Sequence, residues 1–200
     1  MDTAKTPRHP VRVPPLPLSE WPAGSRAAVD ALPAEMKPPP GASINVLDVL
    51  AHHPKLMSAI LTFSNYFRFE STLDDRQREL LIIRIAWLRV AEYELLRHAK
   101  NARRYGFSEE DLIAITVGSS DPHWNEAESL LLRLVEELSE QHHVVDATWQ
   151  ALQQHYTLQQ VMDAMFVVGN YDMFAGAYGS MGIQPEDNLP PYPVDLPPTH

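Results

Sequence analysis

The sequence predicts an all-α fold, and three observations carry that expectation. Apolar residues recur three and four apart through residues 44–184, with no alternating run long enough for a strand. Residues suited to capping precede several of the periodic runs. Proline is kept out of them: of 18 prolines, ten lie in residues 1–40 and six in 185–200, leaving only Pro54 and Pro122 between.

Taken in order, residues 1–43 read as a Pro-rich arm of extended, polyproline character without a core of its own, either a disordered tail or an arm that wraps the domain or a neighbouring subunit. Trp21, Leu32 and Met36 give it something to bury. "NVLDVLAHHP" (45–54) starts at an asparagine suited to capping and stops at Pro54. "KLMSAILTFSNYFRF" (55–69) carries apolar residues at 56, 60, 63 and 67, one helix face. "STLDDRQRELLIIRIAWLRV" (71–90) opens with Thr72 and Asp75 at capping-box spacing. Its middle is apolar on nearly all sides, so it is expected to be the central buried helix.

"AEYELLRHAKNARRYG" (91–106) follows, with Gly106 placed as a C-cap. Ser108 with Asp111, and Asn125 with Glu128, repeat the capping spacing before the next two helices. Asp146 is expected to cap "ATWQALQQHY", and residues 157–182 form a long apolar helix rich in Met and aromatics. The total is about seven or eight helices. Residues 185–200 form a second Pro-rich tail. The glycines of "GNYDMFAGAYGSMG" lie inside an apolar helix and suit close packing, not phosphate binding.

Composition narrows the function. The net charge of −10 argues against nucleic acid as a partner, because phosphate neutralisation needs a basic face. No apolar run approaches a membrane span, and the N-terminal residues lack the apolar core of a signal peptide. The expected location is therefore the cytoplasm. There are no cysteines. Disulfides, thiolate nucleophiles and dithiol redox cycles are thereby excluded.

The candidate chemistry lies in "EYELLRH" (92–98). Glu94 precedes His98 by four residues, one helical turn. Residues 91, 95, 98, 102 and 105 make a mostly apolar stripe, so His98 is partly desolvated with a carboxylate beside it. Burial lowers a histidine pKa and a neighbouring carboxylate raises it. Such a balance suits proton exchange. The same spacing also occurs in ordinary surface pairs, worth about 0.2–0.5 kcal/mol. A metal site would need further ligands, and no second His-rich motif is present. His52 and His53 are adjacent, so on a helix they point about 100° apart and do not chelate one ion. Glu79 begins the apolar stretch "ELLIIRIAWL" and can pair with Arg76 or favour the helix N-terminus. Arg84, flanked by Ile83 and Ile85, needs an acidic partner or an anionic ligand if buried.

"RELLIIRIAWLRVAEYELLRHAKNARRYGFSEEDL" resembles the core of the carboxymuconolactone decarboxylase family, which shares its fold with alkylhydroperoxidase D. The segments before and after it fit the family's other helices, so the resemblance spans about residues 44–184. It implies an alkylhydroperoxidase-D-like helical domain that assembles as a homotrimer or hexamer. In the peroxidase branch a catalytic Glu precedes a CxxC pair and a His. Glu79 and His98 fall on that Glu and His, while Ala91 and Glu94 fall on the two thiols. A thiol-based peroxide cycle therefore has no sulfur here. The decarboxylase branch implies acid–base chemistry on a small organic acid or lactone, without cofactor or metal; the further alternative is a non-catalytic oligomeric binding protein that keeps the fold. His98 would move the proton, Glu94 would orient it and raise its pKa, Glu79 would relay or position, and Arg84 would hold a substrate carboxylate or pair Glu79. On one straight helix Glu79 and His98 would stand about 28 Å apart. They meet only if the chain folds back near Val90–Glu92 or another subunit supplies one of them, and no Gly or Pro marks such a break.

Overall fold

A computed structural model of the protein describes residues 8–34, 37, 38 and 44–198. Met36 lies outside the described residues. Among them are nine α-helices, one short 3-10 helix (Leu18–Glu20) and no strand. The helices are α1 (Ala23–Asp30), α2 (Asn45–Leu50), α3 (Pro54–Phe69), α4 (Asp75–Leu88), α5 (Glu92–Arg104), α6 (Glu109–Val117), α7 (Glu126–Gln141), α8 (Asp146–His155) and α9 (Leu158–Met181). The all-α expectation holds. The additional helix, α1, lies in the Pro-rich arm, where Pro22 sits at its N-cap and prolines are absent from its interior.

The chain divides into two compact units, Met1–Glu70 with Tyr178–Asp187, and Ser71–Ala177 with Asn188–His200. The first has its own apolar cluster. Trp21 and Leu32 are buried in it with Leu47, Leu50, Ala51, Met57 and Leu61. The arm thus supplies core residues and a helix as well as extended chain. Pro54 opens α3 and does not close α2, since proline at the first helical position loses no hydrogen bond. Asn45 is the first residue of α2 and not its cap. Its side chain donates to the Gln184 carbonyl at 2.8 Å, and its N–H donates to Glu186 at 3.0 Å.

The second unit is built around α4, which packs against α5, α6 and α7. Residues 78–86 of α4 are all buried, and Leu80, Leu81, Ile82, Ile83 and Ile85 are fully so. Each such side chain contributes about 1.5–3 kcal/mol on burial. The capping box of α4 joins Asp74 and Gln77, one step away from the Thr72–Asp75 pair. Thr72 is used elsewhere: its N–H and hydroxyl both donate to buried Asp163 of α9, at 2.7 and 2.8 Å. Ser108–Asp111 and Asn125 cap α6 and α7 as their spacing implied. Asp146 does not cap α8. It is the first residue of the helix, behind an N-cap at Val145 with no side-chain cap bond, and Glu137 on α7 ties the helix start down by accepting from Val145 N–H at 2.9 Å and the Thr148 hydroxyl at 2.6 Å. In the C-terminal tail, Tyr192 is buried, donates to the Leu112 carbonyl at 2.6 Å and stacks on Trp87.

One turn places the chemistry. α4 stops at Leu88, and Val90 adopts a left-handed conformation with φ of 53°. Val90 N–H donates to the Trp87 carbonyl at 3.0 Å and Ala91 N–H to the Ala86 carbonyl at 2.9 Å. These are the two bonds of a Schellman motif, whose left-handed position is usually glycine. A β-branched residue there costs about 1–2 kcal/mol. The turn sends α5 back along α4 without a Gly or Pro.

Candidate active site

α4 carries Glu79 and α5 carries Glu94 and His98, and the Val90 turn brings all three together within the second unit. His98 Nδ1 lies 2.7 Å from Glu79 Oε2, a hydrogen bond in which the ring N–H donates. Nε2 lies 3.4 Å from Glu94 Oε2. The imidazole is held between two carboxylates, one at each ring nitrogen. Its side chain is 13% exposed, with Glu79 at 3% and Glu94 at 6%. The Tyr171 ring of α9 meets the imidazole edge-to-face at 4.8 Å.

This arrangement sets the charge of His98. Burial alone pushes the imidazole down. The charge and hydrogen bond of Glu79, followed by those of Glu94, outweigh burial and raise the pKa from 6.5 to about 9. At neutral pH the ring is therefore an imidazolium, with N–H donors on both sides. The carboxylates sit on opposite edges of the ring, so the three groups do not converge on one point where a cation could sit. Among the described residues, no group of three or more His, Asp or Glu side chains is disposed to hold a metal ion.

Arg84 is not brought to this cluster. Its guanidinium pairs with Glu136 at 2.7 Å and caps the end of α6, donating to the carbonyls of Ile115 at 2.8 Å and Thr116 at 2.9 Å. It thus fastens α4 to α6 and α7 in place of pairing Glu79. Arg76 is also engaged elsewhere, with Asp111 at 2.9 Å and Glu128 at 2.8 Å, while its guanidinium lies 4.4 Å from the Phe107 ring centre. The cation beside Glu79 is Arg78, at 3.9 Å, which also bonds Asp75. Arg78 and Tyr171 are the neighbours that sequence reasoning missed. Arg78 directly precedes Glu79, and that adjacency was the only signal the sequence offered. Tyr171 gave none, because it lies on α9, far along the chain from Glu79 and His98.

A search of curated proteins finds no match to this chain. Residues 54–137 match the Carboxymuconolactone decarboxylase family. That span contains Glu79, Glu94 and His98. Among solved structures, the fold is similar to a peroxidase-related protein from Silicibacter sp. TM1040, with a TM-score of 0.75, 15% identity and coverage of 93% of this chain and 97% of that one. A peroxidase-related protein with an alkylhydroperoxidase AhpD core, from Ralstonia eutropha JMP134, gives 0.73 at 19% identity, covering 90% and 94%. The debrominase Bmp8, as a cysteine-to-alanine variant in complex with 2,3,4-tribromopyrrole, gives 0.68 at 16% identity, covering 88% and 91%. At these identities the likeness is one of fold.

Proposed function

We propose that this chain, whose residues 54–137 are a carboxymuconolactone decarboxylase family domain without cysteine, is a cofactor-free proton-transfer enzyme. It acts as a decarboxylase, or a related lyase or isomerase, on a small organic acid or lactone. The observation that carries this reading is the buried His98 imidazolium between Glu79 and Glu94. Glu79, with the shorter contact, holds Nδ1 and fixes the ring. Nε2 has the longer contact and delivers the proton. In decarboxylation the C–C bond breaks, CO₂ leaves, and the electron pair left on the substrate takes the Nε2 proton, which water then replaces. In an isomerisation Glu94 takes the proton removed from carbon while Nε2–H donates to the carbonyl oxygen.

Peroxide reduction by a thiol cycle is disfavoured by the lack of any cysteine. The proposed assembly is a homotrimer or hexamer, supported by the exposed apolar residues Leu158, Met162, Phe166 and Met173 along α9. Sedimentation of the purified chain as a monomer at micromolar concentration would count against it.

The functional test is turnover of a panel of small lactones and keto acids by wild type, His98→Ala and Glu94→Gln. Each substitution is expected to lower the rate by about 10²-fold or more. Unchanged turnover in both removes the relay from the mechanism.

A further inference from the structure

We infer that a cleft in the second unit, separate from the His98 site, binds a small organic ammonium ion. The inference does not rest on the proton-transfer reading.

The cleft holds about 180 Å³ and lies where the start of α4, the start of α7 and the end of α8 meet. Asp74, at the N-cap of α4, lines it with Arg76, Gln77 and Leu80 of that helix, and Glu128 and Tyr156 add walls from α7 and the end of α8. Glu79, Glu94, His98 and Tyr171 are not among its walls. Tyr156 is the group without a partner. It is 9% exposed, yet its hydroxyl makes no hydrogen bond to a described residue. A buried tyrosine hydroxyl normally has one. Because Tyr156 lines the cleft, that partner is a ligand or solvent within it.

The neighbouring bonds show what remains to be offered. Glu128 accepts from Arg76 Nε at 2.8 Å and from the Asn125 amide at 2.7 Å. Asp74 uses Oδ1 to accept from Gln77 N–H at 2.7 Å, while its Oδ2 makes no bond to a described residue. The free acceptors are therefore Asp74 Oδ2 and the Tyr156 oxygen. Arg76 Nη1 and Gln77 Nε2 are free donors that would suit an anion, so the charge balance decides between the two. Arg76 is one positive charge against Asp74, Asp111 and Glu128. Counting His123, 2.8 Å from Asp111, as protonated still leaves three negative against two positive. The two acids that Arg76 pairs, at 9% and 18% exposed, are also more deeply buried than its own side chain at 35%. The Tyr156 phenol registers the same field: burial pushes its pKa up, and the charges of Glu128 and Asp74 push it further. An ammonium group brings three donors and no acceptor, which supplies both free oxygens. The fully buried Leu80 gives a short alkyl chain an apolar floor. Asp74 is exposed, so the attraction is weakened by salt.

The test is titration of n-butylammonium and of butanoate into the full chain at low salt, followed by amide NMR. The two probes have similar chains and opposite charge. The expected result is saturable movement of the Gln77, Leu80 and Glu128 amide signals with butylammonium, and binding of butanoate about tenfold weaker or more. Asp74→Asn removes the charge and keeps the cap, because Asn caps a helix as well as Asp does. Tyr156→Phe removes only the hydroxyl. Each is expected to weaken butylammonium binding about fivefold or more. Tighter binding of butanoate overturns the inference, since Arg76 then governs the cleft. Equal binding of the two probes, no saturable binding of butylammonium, or wild-type affinity in either variant overturns it as well. So do shifts centred on His98 in place of the cleft.

Discussion

Glu79 and His98 are 19 residues apart in the chain and 2.7 Å apart in space. The contact joins the buried first half of α4 to the middle of α5. It also ties protonation to folding, because His98 is far more basic beside Glu79 than in an unfolded chain.

That linkage has a definite sign. The folded pKa of His98, about 9, lies above the ordinary 6.5. Its contribution to stability is fully present below about pH 6.5 and is lost as pH rises through 9. Denaturant unfolding of the wild type is expected to show stability falling across that window. In His98→Gln the fall should flatten. A wild-type profile level from pH 6.5 to 9.5 would remove the linkage.

Asp111 gives the opposite dependence at the acid end. Burial pushes its carboxyl up, but hydrogen bonds from Arg76, His123 and Ser108 outweigh this and bring it to about 2. Its contribution is present above about 3.8 and is lost as pH falls through 2. Asp111→Asn is expected to cost about 1–3 kcal/mol at pH 7 and much less near pH 2. Urea midpoints at the two pH values measure this.

Gly118 and Gly106 both have positive φ, at 104° and 88°, but their surroundings differ. A Cβ on Gly118 would come 2.2 Å from Arg84 Nη2 and from Glu136 Oε1, whereas one on Gly106 meets nothing within 4 Å. Gly106→Ala is expected to cost about 1–2 kcal/mol, the backbone strain alone. Gly118→Ala should cost clearly more, because it also disrupts the Arg84–Glu136 pair. Thermal unfolding of the two variants side by side decides; equal losses would show that the Arg84 pair contributes little.

Val90 occupies a left-handed position that suits glycine. Relief of strain and the added freedom of the unfolded chain oppose each other in Val90→Gly, so stability is expected to change by less than about 1 kcal/mol. A loss of more than about 2 kcal/mol would mean that the Val90 side chain itself holds the turn.

Much of this architecture was legible in the sequence, for stated reasons. The apolar stretch of α4 and the caps at Ser108 and Asn125 are local signals, read from spacing within one turn. The misplaced caps at Asn45, Thr72 and Asp146 share one cause: a distant partner intervened, Gln184 and Glu186, Asp163, and Glu137 respectively. Local spacing carries no trace of such partners. The approach of Glu79 to His98 could not be read from residue type, and only the family resemblance implied the fold-back near Val90–Glu92 that it needs. It depends on a left-handed valine, and nothing in residue type announces one. Arg84 was legible as a buried cation in need of a partner, but the partner is Glu136, 52 residues away.

The most direct measurement is the pH titration of the His98 ring by NMR in the wild type and in Glu79→Gln. The expected wild-type pKa is near 9 and falls toward 6.5 when the Glu79 charge is removed. A wild-type ring that titrates at or below 6.5, or one unmoved by Glu79→Gln, would contradict the claim that His98 is an imidazolium poised to donate its proton.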